Sequence, residues 1–210
     1  MESRNEVYNL IITGVGGQGN VLSSQLIGQA LVSKGYFVTI GETYGMAQRG
    51  GPVMSHIRIS LRKQLSPLIP RGKGDIVVSL EPVEALRVLE GYGNPDVVVL
   101  VNTRPVYPID VTAGDAIYPD FKEIKKALDS LSRKAYSIDA TEKAIQLGSP
   151  ILVNMIMIGA LLELKLLPLD AIEFRETLLE KFSKKTLEIN LQALMEGQRM
   201  LKKCLRKGIL

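Results

Sequence analysis

Val7-Tyr-Asn-Leu-Ile-Ile-Thr-Gly14-Val-Gly-Gly-Gln-Gly19-Asn20 decides the fold. The apolar run Val7 to Thr13 has the length of a buried strand and stops at a glycine cluster. A helical pattern follows from Gln18 to Lys34, with Leu22, Leu26 and Ala30 on one face, and Gly35 ends it. Tyr36 to Ile40 reads as a second strand. A strand, a glycine loop, a helix and a strand in this order imply a right-handed crossover in a parallel sheet.

Outward from this unit, Gly41 to Gly51 (GETYGMAQRGG) reads as a polar, glycine-rich loop. Val53 to Ser60 reads as an alternating strand, with Val53, Ile57 and Ile59 on one face and Met54, His56 and Arg58 on the other. Further strands are expected at Asp75–Leu80, Val97–Val101 and Ala135–Ile138, with helices at 82–90 and 120–131. Asp139 and Glu142 have capping-box spacing for a short helix ending at Gly148. Ser149-Pro150 is expected to cap the apolar helix that starts near Ile151. Beyond Pro168 the chain reads as purely helical. Leu187, Leu191, Leu194, Leu201 and Leu205 make one apolar seam there.

The fold class is therefore α/β: Rossmann-like, with a mostly parallel sheet flanked by helices and a helical C-terminal extension. Residues 1–210 read as a single domain, with the α/β core over about 1–165 and the C-terminal helices over about 168–207. Composition is ordinary for a globular chain: of 210 residues, 46% are hydrophobic and 23% charged. A net charge of +4 suits an anionic ligand or acidic partner without requiring nucleic acid. The absence of Trp and the 5% aromatic content leave no stacking platform for single strands. One cysteine, Cys204, makes no internal disulfide and holds neither an iron–sulfur cluster nor a structural zinc. The apolar stretch Ile151 to Leu167 is interrupted by Asn154, Glu163 and Lys165 and is shorter than the roughly 20 residues of a membrane span, so it reads as a buried helix. With no charged-then-apolar leader, the expectation is a soluble cytoplasmic protein.

Two constellations carry chemistry. Gly14, Gly16, Gly17, Gln18, Gly19 and Asn20 sit between a strand and a helix, where glycines let backbone N–H groups approach a phosphate and the helix N-terminus adds partial positive charge. The pattern formally matches G-x-G-x-x-G, and Glu42 stands where a ribose-binding acid would. A free-standing NAD(P)- or flavin-binding oxidoreductase is therefore a rival reading, and a tight turn without a ligand is another. The second constellation, Gln48-Arg49-Gly50-Gly51, leads straight into a strand, unlike an ordinary dehydrogenase. Arg49 beside two glycines offers a fork of donors and bare amides to a phosphate or carboxylate. Asn154, in the first turn of the apolar helix, must find partners if buried, in a loop or a ligand. Gly159 reads as a close helix contact. The only histidine, His56, reads as a satisfied histidine on a polar face rather than a catalytic base. Lys181 to Lys207 carries eight Lys/Arg against two Glu, read as a solvated helix face.

These residues resemble a known family. The strand into Gly14-Val-Gly-Gly-Gln-Gly19, then Tyr44-Gly-Met-Ala-Gln-Arg-Gly-Gly51 and Ser55-His-Ile-Arg58, resemble the gamma subunits or domains of 2-oxoacid:ferredoxin oxidoreductases. The Gly45-Met-Ala-Gln-Arg-Gly-Gly51 form is most similar to the indolepyruvate (beta-subunit) branch. The likeness continues through Asp75–Glu81, Asn154–Ala160, Asn190 and Gly197, while Asn102 to Ser132 matches no pattern.

The resemblance implies a hetero-oligomer in which a large partner subunit carries thiamine diphosphate and iron–sulfur clusters. That subunit decarboxylates a 2-oxoacid, passes electrons to ferredoxin and hands the acyl group to coenzyme A. The chain itself would hold no cofactor, metal or catalytic residue. Carried over, Gly14, Gly16, Gly17, Gln18 and Gly19, with Arg49, Gly50 and Gly51, would face the thiamine site and the coenzyme A phosphates; Asn20 and Asn154 are further cofactor-binding candidates. Aryl-pyruvate, pyruvate, branched-chain and 2-oxoglutarate variants stay open, as does a non-catalytic scaffold.

Overall fold

The computed structural model describes residues 7–44 and 51–207, with Tyr44 and Lys207 described by backbone alone. In chain order the elements are β1 (Val7–Val15), α1 (Asn20–Ser33), β2 (Phe37–Tyr44), β3 (Pro52–Ser60), β4 (Ile76–Ser79), α2 (Pro82–Tyr92) and β5 (Val98–Asn102). There follow α3 (Ile109–Ala113), α4 (Phe121–Leu131), β6 (Lys134–Ile138), α5 (Ala140–Gln146), α6 (Val153–Glu163), α7 (Ala171–Lys181) and α8 (Lys184–Lys207).

Six strands form one sheet in the order β2-β3-β1-β4-β5-β6. β1, β4, β5 and β6 pair in parallel, whereas β3 is antiparallel to both β1 and β2. The sheet is thus mixed and mostly parallel. β1 and β2 run the same way, as the crossover pattern requires, but β3 fills the space between them. That insertion also extends β2 beyond Ile40. Its ladder with β3 runs to Tyr44 opposite Val53, so Gly41 to Tyr44 is strand rather than loop. Gly41 has no side chain because a Cβ there would press on the Pro67 carbonyl oxygen at 2.7 Å.

Both faces of the sheet are covered, which is why β1, β4 and β5 are apolar runs rather than alternations. Leu10 and Ile12 point into the larger core with Leu26 and Ile27 of α1, Ile57, Ile59, Met155, Ile158 and Phe174. Ile11 points the other way, among Val77, Val99, Ala85, Val88, Ile124 and Leu128 under α2 and α4. Burial of each such large aliphatic side chain contributes about 1.5–3 kcal/mol.

On the larger-core side, α6 is buried along almost its whole length. Leu194 and Leu201 of α8 are buried, and Leu187, Leu191 and Leu205 are half-buried against the same core, as the seam predicts. Gly159 of α6 and Gly197 of α8 set this crossing: a Cβ on either would overlap a carbonyl oxygen of the facing helix, Leu194 or Ile156. Among the described residues no helix is long and apolar enough to cross a membrane.

Two local expectations need correction. Asp139 caps α5 through the Glu142 N–H (3.0 Å), but Ser149 makes no side-chain cap. A 3-10 turn over Pro150–Leu152 precedes α6, because Pro150 starts a tighter turn before the helix proper begins at Val153. His56 is not on a polar face. It is fully buried in the α2-side core and edge-on to Tyr92, with ring centroids 4.9 Å apart. Its Nδ1 accepts the Ile69 N–H (3.4 Å), and its Nε2 has no partner. The alternation was right about the face, but α2 and the Ile69 segment cover that face.

Burial lowers the His56 pKa from 6.5. The unfolded chain therefore binds more protons below that value, and the stability His56 permits is complete above about pH 6.5 and lost as pH falls. Asp75 and Glu84, whose carboxyls burial pushes up, act with the opposite sign in acid. Urea unfolding at pH 5 and pH 7.5 should show a larger acid loss for the native chain than for His56→Gln. Equal losses would exclude a neutral buried imidazole.

Candidate functional site at the end of strands β1 and β3

The β1–β3 ladder closes with Val15 opposite Pro52, so Gly16 and Gly51 leave the sheet side by side. The Gly16 N–H donates to the Gly51 carbonyl oxygen at 2.9 Å and ties one to the other. Arg49 and Gly50 lie outside the described residues; Gly51 is buried. Gly17 and Gly19 take positive φ, +100° and +87°, a region costly for residues with a Cβ. Gly19 is the N-cap of α1, which has neither a side-chain cap nor an acid in its first turn. The open N–H groups and dipole of that helix end therefore face outward without a competing anion.

Gly14 and Gln18 serve the interior. Gln18 Oε1 accepts the Val15 N–H (2.7 Å), and its Nε2 donates to the Leu80 carbonyl (3.2 Å). Its side chain spans the gap between the ends of β1 and β4. Gly14 makes room for it, since a Cβ would meet Gln18 Oε1 at 2.5 Å and Leu80 Cβ at 3.0 Å. Asn20 is buried: its Nδ2 donates to the Val53 carbonyl (3.2 Å), while its Oδ1 has no partner. Asn154 is buried too. Its Oδ1 accepts the Met155 N–H (2.6 Å), and its amide presses on Gly19, where a Cβ would overlap Nδ2.

A cavity of about 580 Å³ opens beside the loop, lined by Gly16, Gly17, Gly19, Asn20, Val21, Leu22, Gln25 and Val53. The structure thus brings Gly16, Gly17, Gly19 and Asn20 to one opening, with Asn154 behind Gly19 and Gln18 turned inward. The chain leaves β1 for α1 and the larger core, but leaves β4 for α2 and the other face. The glycine loop therefore sits where the sheet's winding reverses, the place where open α/β sheets bind ligands.

The dinucleotide reading fares poorly. β3 separates β2 from β1, Glu42 accepts a hydrogen bond from Ser24 (3.1 Å), and Gln18 occupies the crevice. The basic helix α8 keeps most of its Lys/Arg exposed; Arg199 pairs with Glu196 of its own helix and Lys202 with Glu163.

Sequence reasoning missed a second cavity, of about 310 Å³, on the α2 side of the same sheet edge. It shares Val15 and Pro52 with the glycine segments and adds Glu81, Glu84, Arg87 and Tyr118. Glu81 before Pro82 was the available signal: an acid N-cap followed by proline at the first helical position.

Residues 9–200 match the family described as pyruvate ferredoxin/flavodoxin oxidoreductase. The chain belongs to this family. It is 37% identical over 199 residues to indolepyruvate oxidoreductase subunit IorB of Pyrococcus horikoshii, covering 94% of this chain and 98% of that protein. It is 28% identical to pyruvate synthase subunit PorC of Thermotoga maritima, over 90% and 92% of the two chains. Among solved structures, pyruvate oxidoreductase subunit PORC from Thermotoga maritima superposes with a TM-score of 0.68 at 23% identity, covering 93% of this chain and 97% of that one. The 2-oxoglutarate:ferredoxin oxidoreductase of Magnetococcus marinus, solved with 2-oxoglutarate, coenzyme A and succinyl-CoA bound, superposes at 0.72 with 21% identity. That match covers 95% of this chain but only 32% of the longer one. These two superpositions establish the shared fold. Within the family, the chain is of the gamma, or IorB, type.

The buried bonds of Gln18 lead to a definite expectation. Gln18→Ala should lower stability by about 1–3 kcal/mol, because the Val15 N–H loses its acceptor and the crevice is left empty. Urea midpoints check this; an unchanged midpoint would mean that Gln18 serves a ligand and not the fold.

Proposed function

We propose that the chain is the small, cofactor-free subunit of a thiamine diphosphate-dependent 2-oxoacid:ferredoxin oxidoreductase acting on indolepyruvate or a related aryl pyruvate. A large partner subunit holds thiamine diphosphate and the iron–sulfur clusters, and the complex works in the cytoplasm. Oxidative decarboxylation there yields an acyl-coenzyme A, with the electrons passed to ferredoxin. The whole chain acts as one gamma-type domain, its last two helices included. The 37% identity to an indolepyruvate oxidoreductase subunit along almost the full length of both chains supports the aryl-pyruvate assignment.

The observation that carries the reading is the bond from Gly16 to Gly51, which joins the first glycine segment to the last residue of the second, beside an uncapped helix end. Such a surface stabilises negative charge through backbone N–H groups and needs no cation held in the fold. Gly16, Gly17, Gly19 and Asn20 would meet the coenzyme A phosphates, with Arg49 and Gly50, just before Gly51, adding a guanidinium and another bare amide. Gly14, Gln18 and Asn154 would act behind them: the first two hold the loop against β1 and β4, and Asn154 sets the position of Gly19. The thiamine group supplies the carbanion chemistry from the partner; this chain binds and orients the acceptor.

The test is to co-express the chain with the large subunit and assay a panel of 2-oxoacids with a viologen acceptor. Aryl pyruvates should be oxidised best, and the chain alone should be inactive. Arg49→Ala should raise the KM for coenzyme A in a fully assembled complex. Activity of the isolated chain would overturn the division of labour. Weakened assembly with an unchanged KM would reduce the glycine segments to a protein interface.

A further inference from the structure

We infer that residues 103–119 form a latched lid over the cavity on the α2 side, with the Tyr118 hydroxyl on the buried Glu81 carboxylate as the latch. No residue from Thr103 to Asp120 is buried, although the segment contains α3 and large apolar side chains. Ile109 is 83% exposed and Ile117 95%. Core burial therefore holds this segment only at Tyr118, which is half-buried against the α2-side core.

Its own hydrogen bonds are internal. The Thr112 N–H donates to the Pro108 carbonyl, Gly114 to Val111, and both Asp115 and Ala116 to Asp110. These bonds make it a preformed body. Its ends are fixed: the Thr103 N–H donates to the Ile138 carbonyl (3.0 Å), and Asp120 caps α4 through the Lys122 N–H (2.7 Å). Between those fixed points its hydrogen bonds to the rest of the molecule converge on the start of α2: the Val83 N–H donates to the Tyr118 hydroxyl oxygen, and the Glu81 carboxylate takes the others. Glu81 Oε1 accepts the Tyr118 hydroxyl and the Val106 N–H (3.4 Å).

Glu81 is 2% exposed, and its second oxygen caps α2 through the Glu84 N–H (3.0 Å). The same carboxylate thus starts the helix that forms the cavity floor and holds the cover above it. Tyr107 braces Tyr118 edge-on, with ring centroids 5.2 Å apart. Burial, and then the hydrogen bond to Glu81, keep the Tyr118 hydroxyl protonated and donating far into alkaline solution. Glu84 and Val83 line the cavity beneath the lid, the exposed Arg87 stands at its rim, and Val15 and Pro52 complete the wall. Lid opening would expose this cavity, which touches the glycine segments from the opposite face of the sheet. The inference is independent of the function proposed above.

The experiment is hydrogen exchange on the full chain, native and Tyr118→Phe, paired with a thiol probe of the cavity floor. The phenylalanine keeps the ring and removes the latch. Amides of residues 106–118 should exchange roughly tenfold faster or more, with β4, β5 and the body of α2 unchanged. In a Cys204→Ser background, a Val83→Cys thiol should react with N-ethylmaleimide faster by a similar factor once Tyr118→Phe is added. Glu81→Ala should loosen the segment and also the first turn of α2. Unchanged exchange at 106–118 in Tyr118→Phe, or faster exchange spreading through β4 and β5, would overturn the latch. Faster exchange with an unchanged thiol rate would overturn the lid.

Discussion

The site depends on one backbone hydrogen bond and on the strand insertion that makes it possible. Because β3 runs antiparallel between β1 and β2, its beginning lies against the end of β1, and the Gly16 N–H reaches the Gly51 carbonyl. A strictly parallel order would have sent the segment before β3 to the opposite end of the sheet. Register matters equally: a one-residue slip would turn Ile57 and Ile59 out of the larger core and move Pro52 off Val15. The two cores on either side of β1 therefore hold Gly16 and Gly51 together.

Glycine does three separate jobs along this edge. At Gly17 and Gly19 it supplies left-handed backbone, which leaves the end of α1 open. At Gly14 it admits the Gln18 side chain, which seals the gap between β1 and β4. At Gly159 and Gly197, farther away, it lets α6 and α8 cross at backbone distance, and α6 in turn carries Asn154 to the back of Gly19. A sealed crevice with an open loop suits a binding surface presented outward, to be completed by another chain, better than a pocket that encloses a dinucleotide.

Much of this was legible in the sequence, because apolar runs and glycine punctuation are local signals. The strands, the α8 seam and the close contact at Gly159 all follow from spacing. The order of strands did not follow, since nothing in Val53–Ser60 says that it will insert between β1 and β2. His56 was misjudged for the same reason: its environment is made by Ile69 and Tyr92, distant in sequence. Gln18 looked like part of a ligand loop because its partner, the Leu80 carbonyl, lies just past the end of β4, 62 residues away. The role of Glu81 was hidden because Tyr118 lies 37 residues away.

The central claim is that both glycine segments form one surface for a neighbouring chain and its anionic acceptor. Amide hydrogen exchange, compared between the chain alone and the chain assembled with its large partner in the presence of coenzyme A, tests it most directly. The account predicts that peptides spanning residues 15–20 and 51–54 gain protection together, while the β6 edge changes little. Protection of one segment without the other, or of neither, would contradict it.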